Sequence, residues 1–278
     1  MRRDQTSLAN GDSCCTAARR RGHALCASWV LENSSGEAMA AQRNTVWWRG
    51  IDRDEKDEGR LMARPSPPTL PHPKGLTTLG VAVERDALLY VPKGYSVDRP
   101  APLAVMLHGA GGNGQHGMSL LRELADDTGA VLVAPASRED TWDVLLGGYG
   151  PDVAIIDAAL DAASERCAID PERVAIGGFS DGASYALSLG LTNGDVFTHV
   201  IAFSPGFMSP AEQVGRPRCY VSHGTRDTVL PIVRCSRRIV PMLERGGYDV
   251  LYHEFDGPHT IPPDIALEAV DWFWARND

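Results

Sequence analysis

From about residue 75 onward the chain alternates short, wholly apolar runs with longer stretches of helical character, and few folds accept that alternation. Leu103-Ala104-Val105-Met106-Leu107, Val131-Leu132-Val133-Ala134, Val174-Ala175-Ile176, Val200-Ile201-Ala202-Phe203 and Cys219-Tyr220-Val221 carry no polar face. Runs of this length without alternation read as strands buried on both sides. Leu88-Leu89-Tyr90-Val91, stopped by Pro92, and Val250 to Phe255 add two more strands. Helices are expected over about 117–128, 153–167, 181–191, 232–246 and 263–276. Asp152, after Pro151, is expected to cap the second of these, and Asn193-Gly194 to end the third. Buried strands alternating with helices imply an α/β fold, a mainly parallel sheet with helices on both faces, joined by right-handed crossovers. No internal repeat is visible.

Length and charge narrow the partners. With 278 residues there is room for one sizeable core and not for two large domains. A formal net charge of -9 argues against nucleic acid, whose affinity comes largely from Lys and Arg neutralising phosphates. No apolar run approaches the roughly 20 residues that span a bilayer, so stable membrane insertion is not expected.

Residues 1–75 read differently from 76–278. They mix charge runs such as Asp52 to Glu58 with a Pro-rich stretch from Pro65 to Pro73, and are expected to be disordered or loosely packed beside the catalytic domain. Arg2, Arg3 and Arg19 to Arg21 precede a short apolar piece, Ala24 to Leu31, in the order of a secretory leader. That piece is late, short and interrupted by Ser28, so the expectation is a cytoplasmic protein. Cys14, Cys15, Cys26, Cys167, Cys219 and Cys235 match no zinc spacing and include no Cys-x-x-Cys, which fits reduced thiols, no metal and no disulfide.

The stretch that carries chemistry is Gly178-Phe179-Ser180-Asp181-Gly182. A Gly-x-Ser-x-Gly pattern alone is weak, but here a buried strand ends directly before it and a helix begins directly after it. A sharp strand-to-helix turn raises the serine hydroxyl above the sheet edge and needs the flanking Gly178 and Gly182 for close backbone approach. The bland alternative is that Ser180 only caps the helix. His108-Gly109-Ala110-Gly111-Gly112 follows an early strand and resembles a loop that donates a backbone N–H to an oxyanion. Gly109 gives that turn its freedom, and the N–H groups of Ala110 and Asp181 are the expected donors. His108 is expected to brace the loop.

A base must follow a late strand. His259, after the strand 250–255 and before the last helix, meets that need. His223 is its nearest rival, but its loop is better used to present Asp227, the carboxylate that orients an imidazole. Asp256, three residues from His259, would have to fold back sharply. The order Ser180, Asp227, His259 is that of the α/β-hydrolases.

These pieces, with Leu107-His108-Gly109, His223 to Pro231 and His259-Thr260-Ile261-Pro262-Pro263, resemble the phospholipase/carboxylesterase branch of the α/β-hydrolases. They are also similar to dienelactone-hydrolase-like and polyhydroxybutyrate-depolymerase-like esterases. The resemblance implies Ser180, Asp227 and His259 as a triad, Ala110 and Asp181 as oxyanion donors, a small-molecule ester as substrate and no cofactor. Dienelactone hydrolases proper use Cys, so lactone specificity does not carry over to Ser180. A thioesterase or peptidase with the same triad, or a silent binding scaffold, are the competing readings. The short link between Phe203 and Cys219 leaves no room for a large helical cap, which suits short or medium acyl or aryl esters. Trp142, Leu146 and Tyr149, in the long segment 137–151, and Phe207 are expected to line the pocket. For Trp142, ordinary core packing stands as an equal reading.

Overall fold

The continuous apolar runs become strands at the centre of one sheet. The computed structural model describes residues 59–274. Its elements are β1 (Gly75–Thr78), β2 (Leu88–Val91), β3 (Ala101–Leu107), α1 (Gly114–Ser119), α2 (Ala125–Thr128), β4 (Val131–Ala134), α3 (Pro151–Ser164), β5 (Ile169–Phe179), α4 (Asp181–Thr192), β6 (His199–Phe203), β7 (Arg218–Gly224), α5 (Ser236–Arg245), β8 (Val250–Phe255) and α6 (Pro263–Trp274). The sheet order is β1-β2-β4-β3-β5-β6-β7-β8. β1 and β2 are antiparallel to their neighbours, and every pairing from β4 to β8 is parallel. Strands β2, β3, β4 and β6 are buried at every position, as a sheet covered on both faces requires. Two apolar clusters lie on its two faces, one holding Leu103, Val105 and Ile176, the other Ala104, Met106 and Ala175.

Several expectations shift. The helix expected over 117–128 is broken into α1, a 3-10 turn at Arg122–Leu124 and α2, because Leu121 leaves the helical region (φ -129, ψ 2). Asp152 does not cap α3. Gly150 takes that place with Pro151 at the first turn, and the Asp152 carboxylate turns instead to the N–H groups of Arg138 and Asp143. The Asn193 end of α4 is where it was expected. β1 was not anticipated. It is a short edge strand whose alternating exposure left only a faint pattern.

Part of the segment before residue 75 packs on the domain, from Gly59 to Arg64. Leu61 is fully buried, Asn193 exchanges hydrogen bonds with Gly59 and Leu61, and Asp157 accepts from the N–H groups of Met62 and Ala63. Arg60 and Arg64 both pair with Asp195. Within the Pro-rich stretch, the N–H groups of Thr69 and Leu70 donate to the Glu165 carbonyl at the end of α3. The basic clusters, Cys14, Cys15, Cys26 and the charge run 52–58 lie outside the described residues. Cys167 and Cys219 are free and buried, and Cys235 is buried. Among the described residues no helix is long and apolar enough to cross a membrane. The link from Ser204 to Pro217 contains no helix, so no helical cap rises there.

Candidate active site

The parallel strands all end on one edge, and the residues singled out from the sequence follow those ends: His108 after β3, Ser180 after β5, Asp227 beyond β7 and His259 beyond β8. Loops at the carboxyl edge of such a sheet are its usual ligand site.

Ser180 sits at φ 59, ψ -119, a conformation costly for a residue with a side chain. The turn is held from both sides, because Ser180 N–H donates to the Phe203 carbonyl and its own carbonyl accepts from Ser184 N–H. Its side chain makes no capping bond to α4, so helix capping does not account for it. The flanking glycines are needed for space rather than for positive φ. A Cβ on Gly182 would lie 2.4 Å from the carbonyl oxygens of His108 and Leu107, and one on Gly178 would lie 2.5 Å from the Gly182 carbonyl carbon. Gly109 is different, since a Cβ there would meet Ser180 Cβ at an ordinary 3.4 Å.

His259 Nε2 lies 2.9 Å from Ser180 Oγ, and His259 Nδ1 lies 2.6 Å from Asp227 Oδ2. The acceptor at Asp227 requires Nδ1 to carry a proton, which leaves Nε2 free to accept from the serine hydroxyl. The Phe179 ring packs against the imidazole at 4.6 Å between centroids. The Asp227 side chain is wholly buried, and its other oxygen accepts from the N–H groups of Val229 and Leu230. The rival acid Asp256 is spent on an exposed pair with Arg226.

Two contributors escaped the sequence reading. Gly224 lets the two loops close together, since a Cβ there would lie 2.4 Å from the Gly257 carbonyl oxygen. Thr225 and Arg226 N–H then donate to the carbonyls of Phe255 and Gly257, which stitches the Asp227 loop to the His259 loop. The second is a row of hydroxyls along α4. Ser184, Ser188 and Thr192 each donate to the carbonyl four residues back, while accepting from the N–H groups of Gly206, Ser209 and Ala211. This row fastens the 205–211 segment beside Ser180. The signal was present as Ser180, Ser184, Ser188 and Thr192 at a four-residue spacing.

The loop after β3 is braced by the segment after β4. His108 donates through Nδ1 to the Gly109 carbonyl and accepts at Nε2 from Ser137 N–H, and burial lowers its pKa to about 4. A neutral, bracing histidine matches its expected role. Gly111 N–H donates to Asp140, Trp142 Nε1 donates to the His108 carbonyl, and Thr141 Oγ1 donates to Asp181 Oδ2. Burial raises the Asp181 pKa. Among the described residues the N–H groups of Ala110 and Asp181 have no protein acceptor.

The expected pocket residues divide. Trp142 is fully buried and stacks on Tyr185 with centroids 5.2 Å apart, so its core reading holds and its pocket reading falls. Tyr149 is also core, its hydroxyl donating to the Ser209 carbonyl. Leu146 is 60% exposed and lines an open groove of about 270 Å³ with Arg138, Asp143 and Gly147, which none of Ser180, Asp227 and His259 lines. Phe207 is half-buried on the 205–208 turn beside α4. Among the described residues no cluster of three or more His, Cys, Asp or Glu is arranged to hold a metal ion.

Known proteins resemble this chain in sequence and fold. Residues 153–272 match the model of the phospholipase/carboxylesterase family. A probable feruloyl esterase C of Aspergillus flavus is 32% identical over 53% of this chain and 57% of its own length. The chain thus spans little more than half the length of the curated relatives it matches. The crystal structure of esterase PE8 superposes with a TM-score of 0.54 at 26% identity, covering 66% of this chain and 97% of that one. A phospholipase/carboxylesterase from Dyadobacter fermentans, at 22% identity, gives 0.51 over 74% of this chain and 99% of its own. The chain has the α/β-hydrolase fold. Within that fold, the matched region runs from α3 to α6 and so contains Ser180, Asp227 and His259.

Proposed function

We propose that this α/β-hydrolase cleaves carboxylic esters by two-step acyl transfer, with Ser180 as nucleophile, His259 as general base and acid, and Asp227 as the carboxylate that orients it. The observation that carries the reading is the unbroken line Ser180 Oγ, His259, Asp227 at 2.9 and 2.6 Å, hung on a serine held at positive φ. His259 takes the hydroxyl proton as Ser180 attacks the ester carbonyl. The alcohol leaves with that proton, and water hydrolyses the acyl-enzyme by the same route. The N–H groups of Ala110 and Asp181 receive the negative charge of the tetrahedral intermediate. Each such donor typically contributes about 10²–10³ in rate.

The absence of a helix between β6 and β7 favours short or medium acyl or aryl esters over long lipids. Feruloyl esters are the first aryl class to test, because the curated relatives are feruloyl esterases. Labelling by a fluorophosphonate and hydrolysis of p-nitrophenyl acetate should both be present in the wild type and vanish in Ser180→Ala, with kcat lower by about 10⁶-fold. Substantial residual turnover in that variant would sink the assignment. A panel of p-nitrophenyl acetate, ethyl ferulate, a thioester and a long-chain triglyceride should rank the first two highest.

A further inference from the structure

The line of polar contacts does not stop at Asp227. His223, the last residue but one of β7, is completely buried. Its Nε2 lies 2.7 Å from the Leu230 carbonyl oxygen and 3.2 Å from Asp227 Oδ2, and its Nδ1 lies 2.7 Å from Ser236 Oγ at the start of α5. A carbonyl oxygen only accepts, so Nε2 carries a proton, and in the neutral ring Nδ1 accepts from the Ser236 hydroxyl. The Nε2–H is bonded to Leu230, and Asp227 Oδ2 lies 3.2 Å from the same nitrogen. Asp227 Oδ2 is left between two imidazoles, His259 on the side of Ser180 and His223 behind.

We propose that His223 is a positioning residue that fixes the Asp227 carboxylate and tempers its pull on His259. The proposal rests on the reading of Ser180, His259 and Asp227 as a triad. Two consequences follow from the geometry. Oδ1 of Asp227 is held by two backbone N–H groups, one of them from the Leu230 whose carbonyl His223 holds, and the Ser236 hydroxyl keeps His223 from rotating. The Nε2–H dipole 3.2 Å from Oδ2 also draws electron density from the carboxylate, so His259 faces a weaker hydrogen-bond acceptor than an oxygen with no second imidazole beside it would give. The groups whose charge reaches His223 are Asp227, His259 and, from β8, Glu254. Burial lowers the pKa of His223, in keeping with a ring that stays neutral while His259 takes up and returns a proton.

The test compares His223→Leu and His223→Gln with the wild type in the full chain. The pH profile of kcat/KM for p-nitrophenyl acetate hydrolysis is followed, with urea unfolding as the check on folding. His223→Leu, which keeps apolar bulk but has no donor, should lower kcat by about tenfold with KM little changed. It should also move the acid limb of kcat/KM up by about half a pH unit, because His259 then faces a carboxylate with no second imidazole beside it. His223→Gln restores an N–H donor and should return both the rate and the limb toward the wild type. An unmoved acid limb in a folded His223→Leu overturns the proposal, and so does a His223→Gln no better than Leu. Should His223→Leu fail to fold, Ser236→Ala takes its place, with a smaller shift expected in the same direction and none overturning the proposal. Failure of the underlying triad reading would show separately, as wild-type labelling or turnover that survives Ser180→Ala.

Discussion

At the scale of single residues, the candidate site depends on backbones that approach more closely than a side chain allows. Gly182 and Gly109 both lie beside Ser180, yet they differ in what a methyl group would meet. On Gly182 it would run into two carbonyl oxygens at 2.4 Å, which cannot move without dragging β3 with them. On Gly109 it would find ordinary contact at 3.4 Å. Gly182→Ala should therefore lose about 3 kcal/mol or more of stability, seen as a large fall in the urea midpoint. Gly109→Ala should fold with a midpoint close to the wild type, and any loss of turnover in it would come from crowding at Ser180. Equal loss of stability in the two variants would contradict this distinction. The residues that come together at Ser180 were legible in the sequence because chemistry restricts them to few types in a fixed order. His223 was seen there as the nearest rival base and as part of the loop that presents Asp227, since nothing in a linear sequence says that a histidine one residue from the end of a strand lies inward beside a carboxylate.

At the scale of elements, α4 joins the site to the core through its hydroxyl row. Ser188 is fully buried, donates to the Ser184 carbonyl and accepts from Ser209 N–H. Ser188→Ala would leave Ser209 N–H without that acceptor, costing about 1–2 kcal/mol, with part of the loss offset by the better helix propensity of alanine. Amide exchange should quicken at Ser209 and its neighbours in the 205–211 segment and stay unchanged in β3, whereas uniform quickening would mean the row does not act locally. The strands were legible because a run with no polar face fits only a doubly covered sheet. The segments 59–64 and 137–152 were not. They are ordered by distant partners such as Asn193, Asp157, His108 and Tyr185, and composition reports only the absence of local periodicity. Trp142 illustrates the limit. A tryptophan in a glycine-rich loop near a candidate site fits a pocket and a core equally, until its indole N–H is seen bonded to the His108 carbonyl beneath the loop.

At the scale of the whole molecule, buried titratable groups set how stability responds to acid. Burial lowers His108 and His199 from 6.5 to about 4. The unfolded chain takes up protons at these rings below about pH 6.5 while the folded chain does not, so each contribution is lost as pH falls through that window. Between pH 6.5 and 5 this amounts to about 2 kcal/mol per histidine, at about 1.4 kcal/mol per pH unit. His223, lowered by the same cause, pulls the same way. Asp152, Asp143 and Asp181 oppose them. Burial raises all three, Asp152 from 3.8 to about 6, so the folded chain holds protons that the unfolded chain has released and their contributions grow as pH falls. The acid response of the domain is the sum of these opposing groups. His199 tests the sum without touching the site. Its ring lies edge-on to Trp272 and Phe273, its Nδ1 meets Thr198 Oγ1, and its Nε2 has no partner, so a phenylalanine fits the same packing. His199→Phe should leave stability near neutral pH within about 1 kcal/mol and remove roughly 2 kcal/mol of the acid-side loss. Urea unfolding of both proteins at pH 6.5 and 5 measures the difference directly. Equal losses in the two would mean that His199 is protonated in the folded molecule, and that the pocket of Trp272 and Phe273 does not keep its charge out.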